Sequence, residues 1–223
     1  MGAMPAPRQT NYAASPLAAF REGRLIHRLV QLYAGLVCYG ISMALMVRSE
    51  LGVMPWDVLH QGVTLHVPLS FGTVVIVMSL LVLALWIPLR QWPGLGTVSN
   101  AVVIGLVVDA ALVVLEPPTG LAMRATLLVT GIVLNAIATA AYIGARFGPG
   151  PRDGLMTGLM RVTGRSVRLV RTVLEVAVVL GGWLLGGTVG LGTVAYALGI
   201  GPLVHVFLPL MTVRTKATEG PRR

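Results

Sequence analysis

Apolar residues run almost unbroken through 29–47, 71–89, 97–115, 126–144, 167–185 and 193–211, separated by short basic or Gly/Pro-rich stretches. At about 1.5 Å of rise per residue, a helix of about 19 residues crosses the roughly 30 Å hydrocarbon layer of a bilayer. Each run therefore predicts a transmembrane helix. Between the first and second runs of each half lies a shorter amphipathic piece, 57–66 and 153–163. Ten helical residues reach only about 15 Å, so these pieces predict half-helices that enter the membrane without crossing it.

Composition agrees with that pattern. Of 223 residues, 55% are hydrophobic and 11% charged, with a mean hydropathy of +0.81. A soluble domain carries about 25% charged residues, so a soluble globular chain and a disordered one are both excluded. The formal net charge of +9 follows from membrane topology and does not imply nucleic acid as a partner. Cys38 is the single cysteine and lies within an apolar run, which leaves no disulfide framework and no cysteine metal site. The ten methionines fill apolar space, and no Met/Cys/His cluster points to a metal. His-Glu-x-x-His, Gly-x-Ser-x-Gly and phosphate-binding loops are missing from the sequence, which disfavours an intramembrane enzyme and an ATP-driven pump. No cofactor is implied.

The chain repeats itself. Gly52-x-x-Pro55-x-Asp57-x-Leu59-x-x-Gly62 returns as Gly148-x-x-Pro151-x-Asp153-x-Leu155-x-x-Gly158, an offset of 148 − 52 = 96. Gly94-Leu95-Gly96-Thr97-Val98 returns as Gly190-Leu191-Gly192-Thr193-Val194 at the same offset, and Gly35/Gly131, Ser70/Ser166 and Gly105/Gly201 fall on it too. Two separated motifs sharing one offset indicate duplication, with repeats at 28–118 and 124–213 and tails at 1–27 and 214–223. No short apolar core with a cleavage site precedes the first run, so no secretory signal peptide is read.

With the N-terminus inside and only the long runs crossing, Arg90, Arg146, Arg152, Arg161, Arg165, Arg168 and Arg171 fall on the cytoplasmic side, as do both tails. Only Arg48 and Arg124 are left outside. This obeys the positive-inside rule. Letting the short pieces cross would instead place the Arg161–Arg171 cluster outside. Three crossings per repeat is an odd number, so the second repeat enters upside down, as in many secondary transporters and some channels. The expected fold is therefore all-α: six transmembrane helices plus two re-entrant half-helices in an inverted 3+3 repeat.

Each half-helix follows a Gly/Pro stretch, Gly52-Val53-Met54-Pro55-Trp56 and Gly148-Pro149-Gly150-Pro151-Arg152, which cannot continue a helix. Extended chain could carry both half-helix N-termini to the bilayer centre, where non-helical backbone survives only against protein or a wet cavity. Helix N-termini suit an anionic group. Asp57 and Asp153 are expected at the N-cap positions, with two roles open: capping their own helices, or a proton or cation site. Where the first repeat has Trp56, the second has Arg152. Its guanidinium can clamp a solute carboxylate or phosphate, or pair with Asp57 or Asp153. With Pro55 and Pro151 these residues make the expected binding site.

Arg171 and Glu175 are four residues apart on one helix face and can pair, either structurally or as a gate or coupling carboxylate. Asp109 and His205 are symmetry equivalents, open either to a proton-relay role or to plain solvation near the two interfaces. Tyr39, Asn135, Asn100, Tyr196 and Gln61 are expected to hydrogen-bond between helices. His60 and His66 are expected in an outer vestibule, and Gly182 with Gly186 on a helix-packing face.

The stretches Gly52-Val53-Met54-Pro55-Trp56-Asp57-Val58-Leu59 and Gly148-Pro149-Gly150-Pro151-Arg152-Asp153-Gly154-Leu155-Met156, with Arg171-x-x-x-Glu175 and Gly186-Gly187-x-x-Gly190-x-Gly192-Thr193, resemble the YczE/YyaS/YitT group of bacterial integral membrane proteins. The resemblance covers about residues 28 to 211 and implies a multi-pass bacterial membrane protein, with no substrate and no established binding residues. The expected function is a secondary transporter of a small polar or anionic solute in the bacterial plasma membrane, open to proton coupling. Its partners are the lipid bilayer and that solute, with room for a homo-oligomer. The alternatives are a facilitative channel and a non-transporting scaffold or regulator of a cytoplasmic enzyme.

Overall fold

The computed structural model describes residues 23–213, so the terminal readings at 1–22 and 214–223 lie outside the described residues. Among the described residues the chain forms eight helices and no strand: α1 (Leu25–Ser49), α2 (Pro55–Thr64), α3 (Phe71–Trp86), α4 (Leu95–Val114), α5 (Leu121–Gly144), α6 (Pro151–Thr163), α7 (Val167–Leu184) and α8 (Leu191–Met211). Every apolar run and both short amphipathic pieces became helices. Helices α1, α4, α5 and α8 are long and apolar enough to cross a membrane, while α3 is a shorter apolar helix. Helix α7 is 18 residues long, with Arg168, Arg171 and Glu175 in its first half.

Helices α1 and α5 form the centre and run antiparallel. Gly35 on α1 faces Ala138, Ala141 and Tyr142 of α5, and Gly131 on α5 faces Ser42, Leu45 and Met46 of α1. These are the same contact made twice, since 35 + 96 = 131, 42 + 96 = 138 and 46 + 96 = 142. Small residues there let the backbones approach, the usual route to helix association in lipid. Helix α4 lies parallel to α1, with Tyr33 against Ser99 (3.2 Å) and Arg48 bonded to the Leu112 carbonyl. Helix α8 lies parallel to α5 in the equivalent way, with Tyr196 against Asn135 and Gly144 against Met211.

The non-helical segments before α2 and α6 are held by a second reciprocal contact. The Gly96 N–H donates to the Phe147 carbonyl (2.9 Å), and the Gly192 N–H donates to the Leu51 carbonyl (2.8 Å). Gly52 and Gly148 take φ values of +116° and +118°, a region closed to most side chains. A Cβ at either would also press on the hydroxyl of Thr193 or Thr97 at 2.9 Å. The repeated Gly-x-x-Pro is thus a backbone turn seated on the first turn of the opposite repeat's last helix.

The two repeats differ most plainly in how their last two helices pack. Helices α3 and α4 pack closely: Gly72 meets Gly105 backbone to backbone, and Asp109 accepts from the Gly72 N–H (2.6 Å) and from the Ser70 hydroxyl. Their equivalents α7 and α8 make at most marginal contact, and a Cβ on Gly201, the counterpart of Gly105, would meet nothing within 4 Å. Arg168 stands where Gly72 stands in the first repeat. Helix α7 is held instead by α2, whose backbone at Val58 and Leu59 sits against Gly182. Gly186 lies beyond the end of α7 with φ +88°, so the expected Gly182/Gly186 helix face does not form.

Charge is uneven between the two ends. Buried Arg28 donates to the carbonyls of Ala145 (3.0 Å) and Arg146 (3.1 Å), and Arg161 reaches the carbonyls of Leu89 and Arg90. The α4 start at Gly94 rests on Phe147, which joins these ties into one arginine-rich end. The other end holds Arg48 and an Arg124–Glu50 ion pair.

A side chain at Gly182 would collide with the α2 backbone, whereas Gly199 on α8 has open space. Gly182→Val is expected to lower stability by about 1–3 kcal/mol, the usual cost of overpacking. Gly199→Ala is expected to be neutral or stabilising by up to about 1 kcal/mol. Thermal unfolding of the purified variants in detergent checks both.

Candidate functional site

Pro55 and Pro151 open α2 and α6 as the first helical residues, behind N-caps Met54 and Gly150 in extended conformation. Proline suits that position because its missing N–H would have no helical partner. This sets the helix start two residues before each aspartate. Asp57 and Asp153 therefore do not sit at the N-caps, and neither half-helix has a side-chain cap. Both lie in the first turn, where a carboxylate still gains from the positive end of the helix dipole.

The two tips meet. The Arg152 guanidinium lies 5.1 Å above the Trp56 ring, and its Nη2 is 3.9 Å from Asp57 Oδ1. A cation over an indole face is favourable, so a position at which the repeats differ is a contact between the copies. Asp57 is fully buried, and its Oδ1 also accepts from His60 Nδ1 (3.0 Å). Asp153 accepts from the Tyr142 hydroxyl (2.7 Å). Equivalent carboxylates thus have different partners.

Beside these tips lies a cavity of about 390 Å³ with Pro55, Trp56, Pro151, Arg152 and Asp153 on its wall. Tyr39, Tyr142 and Tyr196 add hydroxyls, with Tyr39 and Tyr142 edge to face at 6.2 Å. Tyr196 donates to Asn135, whose amide donates to Ser42, so the polar groups beneath the cavity satisfy one another. Arg171 and Glu175 pair at 2.8 Å on the α7 wall, and His205 lines the α8 wall. The cavity reaches the cleft that α7 and α8 leave between them.

Of the expected site residues, the fold brings Asp57, Arg152 and Trp56 into contact and sets Pro55, Pro151, Asp153, Arg171, Glu175 and His205 on the same cavity. Asp109 stands apart. It ties α4 to the start of α3 and does not face His205, because the α3–α4 contact occupies its carboxylate. His60 is buried against Asp57, not in an outer vestibule, while His66 is exposed. The Asp57-x-x-His60 spacing puts both side chains on one helix face, a signal that the sequence carried. Among the described residues no group of three His, Cys, Asp or Glu side chains could hold a metal ion.

A family profile described as "Family of unknown function (DUF6198)" matches residues 26–209. An uncharacterised protein of Haemophilus influenzae is 42% identical over 172 residues, 77% of this chain and 79% of that protein. The uncharacterised membrane protein YczE of Bacillus subtilis is 29% identical over 187 residues, 83% of this chain and 87% of its own. YyaS, from the same organism, is 26% identical over 181 residues, covering 79% and 90%. No solved structure matches the chain.

Removing Arg152 strips a buried carboxylate of its nearest cation, a change that costs more than the pair itself contributes. In a double-mutant cycle, Arg152→Met alone is expected to destabilise, and Asp57→Asn in the same chain to restore part of the loss. The coupling energy should be about 0.5–3 kcal/mol, read from unfolding of the four proteins in detergent.

Proposed function

The chain belongs to the DUF6198 family, with YczE and YyaS among its relatives, and we propose that this multi-pass membrane protein is a secondary transporter. Its cargo is a small polar or anionic solute, carried across the bacterial plasma membrane. The observation that carries the reading is Arg152, one quarter exposed at 23%, beside a cavity to which two half-helix N-termini bring their positive ends. A guanidinium and two helix termini beside a partly enclosed cavity select a carboxylate or phosphate group.

In this reading six helices cross the bilayer and α2 and α6 enter from opposite faces, as an inverted 3+3 repeat. The antiparallel α1–α5 pair and the doubled contacts at an offset of 96 support that arrangement. The arginine-rich end faces the cytoplasm. The unequal helix pairs then read as gates: α3–α4, held by Asp109, is the closed outer one, and α7–α8 is the open inner one. Access from one side at a time fits a carrier better than a channel, which needs a continuous path. Exchange of the two arrangements would move the cavity mouth across the membrane, with Thr172 and Gly201 taking the places that Ile76 and Gly105 hold in the closed pair.

Proteoliposomes screened with small mono- and dicarboxylates and inorganic phosphate are expected to show saturable uptake of at least one. Arg152→Ala should raise its KM at least about 30-fold, equivalent to about 2 kcal/mol for loss of one member of a desolvated charge pair. Non-saturating flux insensitive to Arg152 would remove the carrier reading. In a Cys38→Ser background, cross-linking Thr172→Cys to Gly201→Cys is expected to arrest uptake, and reduction to restore it. Full uptake by the cross-linked protein would show that the α7–α8 cleft is no gate.

A further inference from the structure

Asp57 combines three features that a structural carboxylate rarely has together. It is 0% exposed, its Oδ2 has no hydrogen-bond partner, and its Oδ1 is divided between His60 at 3.0 Å and Arg152 at 3.9 Å. A buried carboxylate with one oxygen unsatisfied is costly, and Arg152 is the near cation that balances it. That same guanidinium stands beside the cavity. Two anions, Asp57 and an arriving solute, would therefore share one arginine.

We infer that Asp57 and His60 form a proton-binding pair that competes with the solute for Arg152, so that an anionic solute enters the site together with one proton. The inference rests on the carrier reading above. With the cavity empty, Asp57 carries −1, His60 is neutral and Arg152 carries +1. When a solute carboxylate draws Arg152 away, a proton from the aqueous cavity binds the Asp57–His60 pair, whether on the imidazole or on the free Oδ2. The pair then carries no net charge, and nothing buried is left unbalanced. No covalent bond other than that to the proton forms or breaks.

The surroundings leave little else to balance Asp57. Helix α6 supplies Arg152 and Asp153, the latter occupied by the Tyr142 hydroxyl of α5. Helices α1 and α8 contribute Tyr39 and Tyr196 to the cavity wall beside Arg152. Helix α3 presents the Phe71 ring to His60, with centroids 6.1 Å apart. Helix α7 packs on α2 through Gly182 and carries Arg171 and Glu175 on the cavity wall, already paired with each other. In the second repeat Met156 occupies the place of His60, so only the first repeat has the pair.

Trp56 is a built-in reporter, because Arg152 lies over its ring. The experiment subtracts the fluorescence of Trp56→Phe from that of the wild type, in detergent, from about pH 4 to about pH 9, the range in which Asp and His side chains titrate. The difference is expected to titrate as one proton, to vanish in Asp57→Asn, and to move its midpoint by at least about one pH unit in His60→Gln. Acetate, succinate and inorganic phosphate then serve as probe anions. Affinity for at least one should rise as pH falls, by up to about tenfold per unit, the limit for one linked proton. A titration that survives Asp57→Asn, a signal that follows sodium at fixed pH, or a pH-independent anion affinity overturns the proton pair. An intact pH titration with no response to any anion supports the proton site and overturns the anionic-solute reading instead.

Discussion

Non-helical backbone inside a membrane protein has no water to bond to, and every N–H and C=O it exposes must find a protein partner or line a wet cavity. The segments before α2 and α6 face that constraint. Their answer is the first turn of a helix from the other repeat, where N–H groups are free because no helical carbonyl precedes them. The bonds from Gly96 to Phe147 and from Gly192 to Leu51 use those free donors. Positive φ at Gly52 and Gly148 turns the chain into this seat, and Pro55 and Pro151 restart a helix beyond it. Once both seats are filled, the two half-helix tips are held against each other, and the polar residues they carry share one place.

A frame repeated so closely makes its exceptions informative. Trp56 and Arg152 are equivalent positions that bind each other, so a symmetric scaffold yields one asymmetric contact at its centre. Asp57 meets His60 while Asp153 meets Tyr142. Gly72 and Asp109 draw α3 onto α4, while Arg168 and His205 do nothing similar for α7 and α8. A buried close contact is stabilising only if both surfaces fit, and Arg168 in place of glycine removes the backbone approach that the first repeat uses. The repeat supplies two equivalent helix pairs, and the side chains make their packing unequal.

The interactions that hold the molecule together also separate frame from site. The α1–α5 centre is tightly packed around small residues, with Leu32, Leu36, Met43 and Met46 fully buried and the Ser42–Asn135 hydrogen bond enclosed among them. Polar groups concentrate where the half-helices meet, and most of them satisfy one another. Asp57 Oδ2 is the exception beside the cavity. Leaving such an oxygen buried and unpaired is costly, which sets it apart from the satisfied polar groups around it.

Hydrophobic run length set the six longer helices, since lipid leaves a chain few other ways to bury its backbone, and the offset of 96 set which elements correspond. Those signals are local or periodic, so a linear reading captured them. The repeated Gly-x-x-Pro-x-Asp also marks Asp57, Arg152 and Trp56 as one group, and the fold brings these three together. What a linear reading could not reach depended on pairings between distant segments. Asp109 and His205 are equivalent in sequence, yet one is occupied by α3 and the other lines the cavity wall, because helix packing distance is decided by the partner's surface. Proline placed the helix starts two residues ahead of the aspartates, turning expected caps into first-turn charges. His60 was buried by its neighbours and not by its own segment. Composition and period specified which helices exist. Only their packing decided which charges meet and which cleft stays open, because burial and electrostatic partners belong to surfaces far apart along the chain.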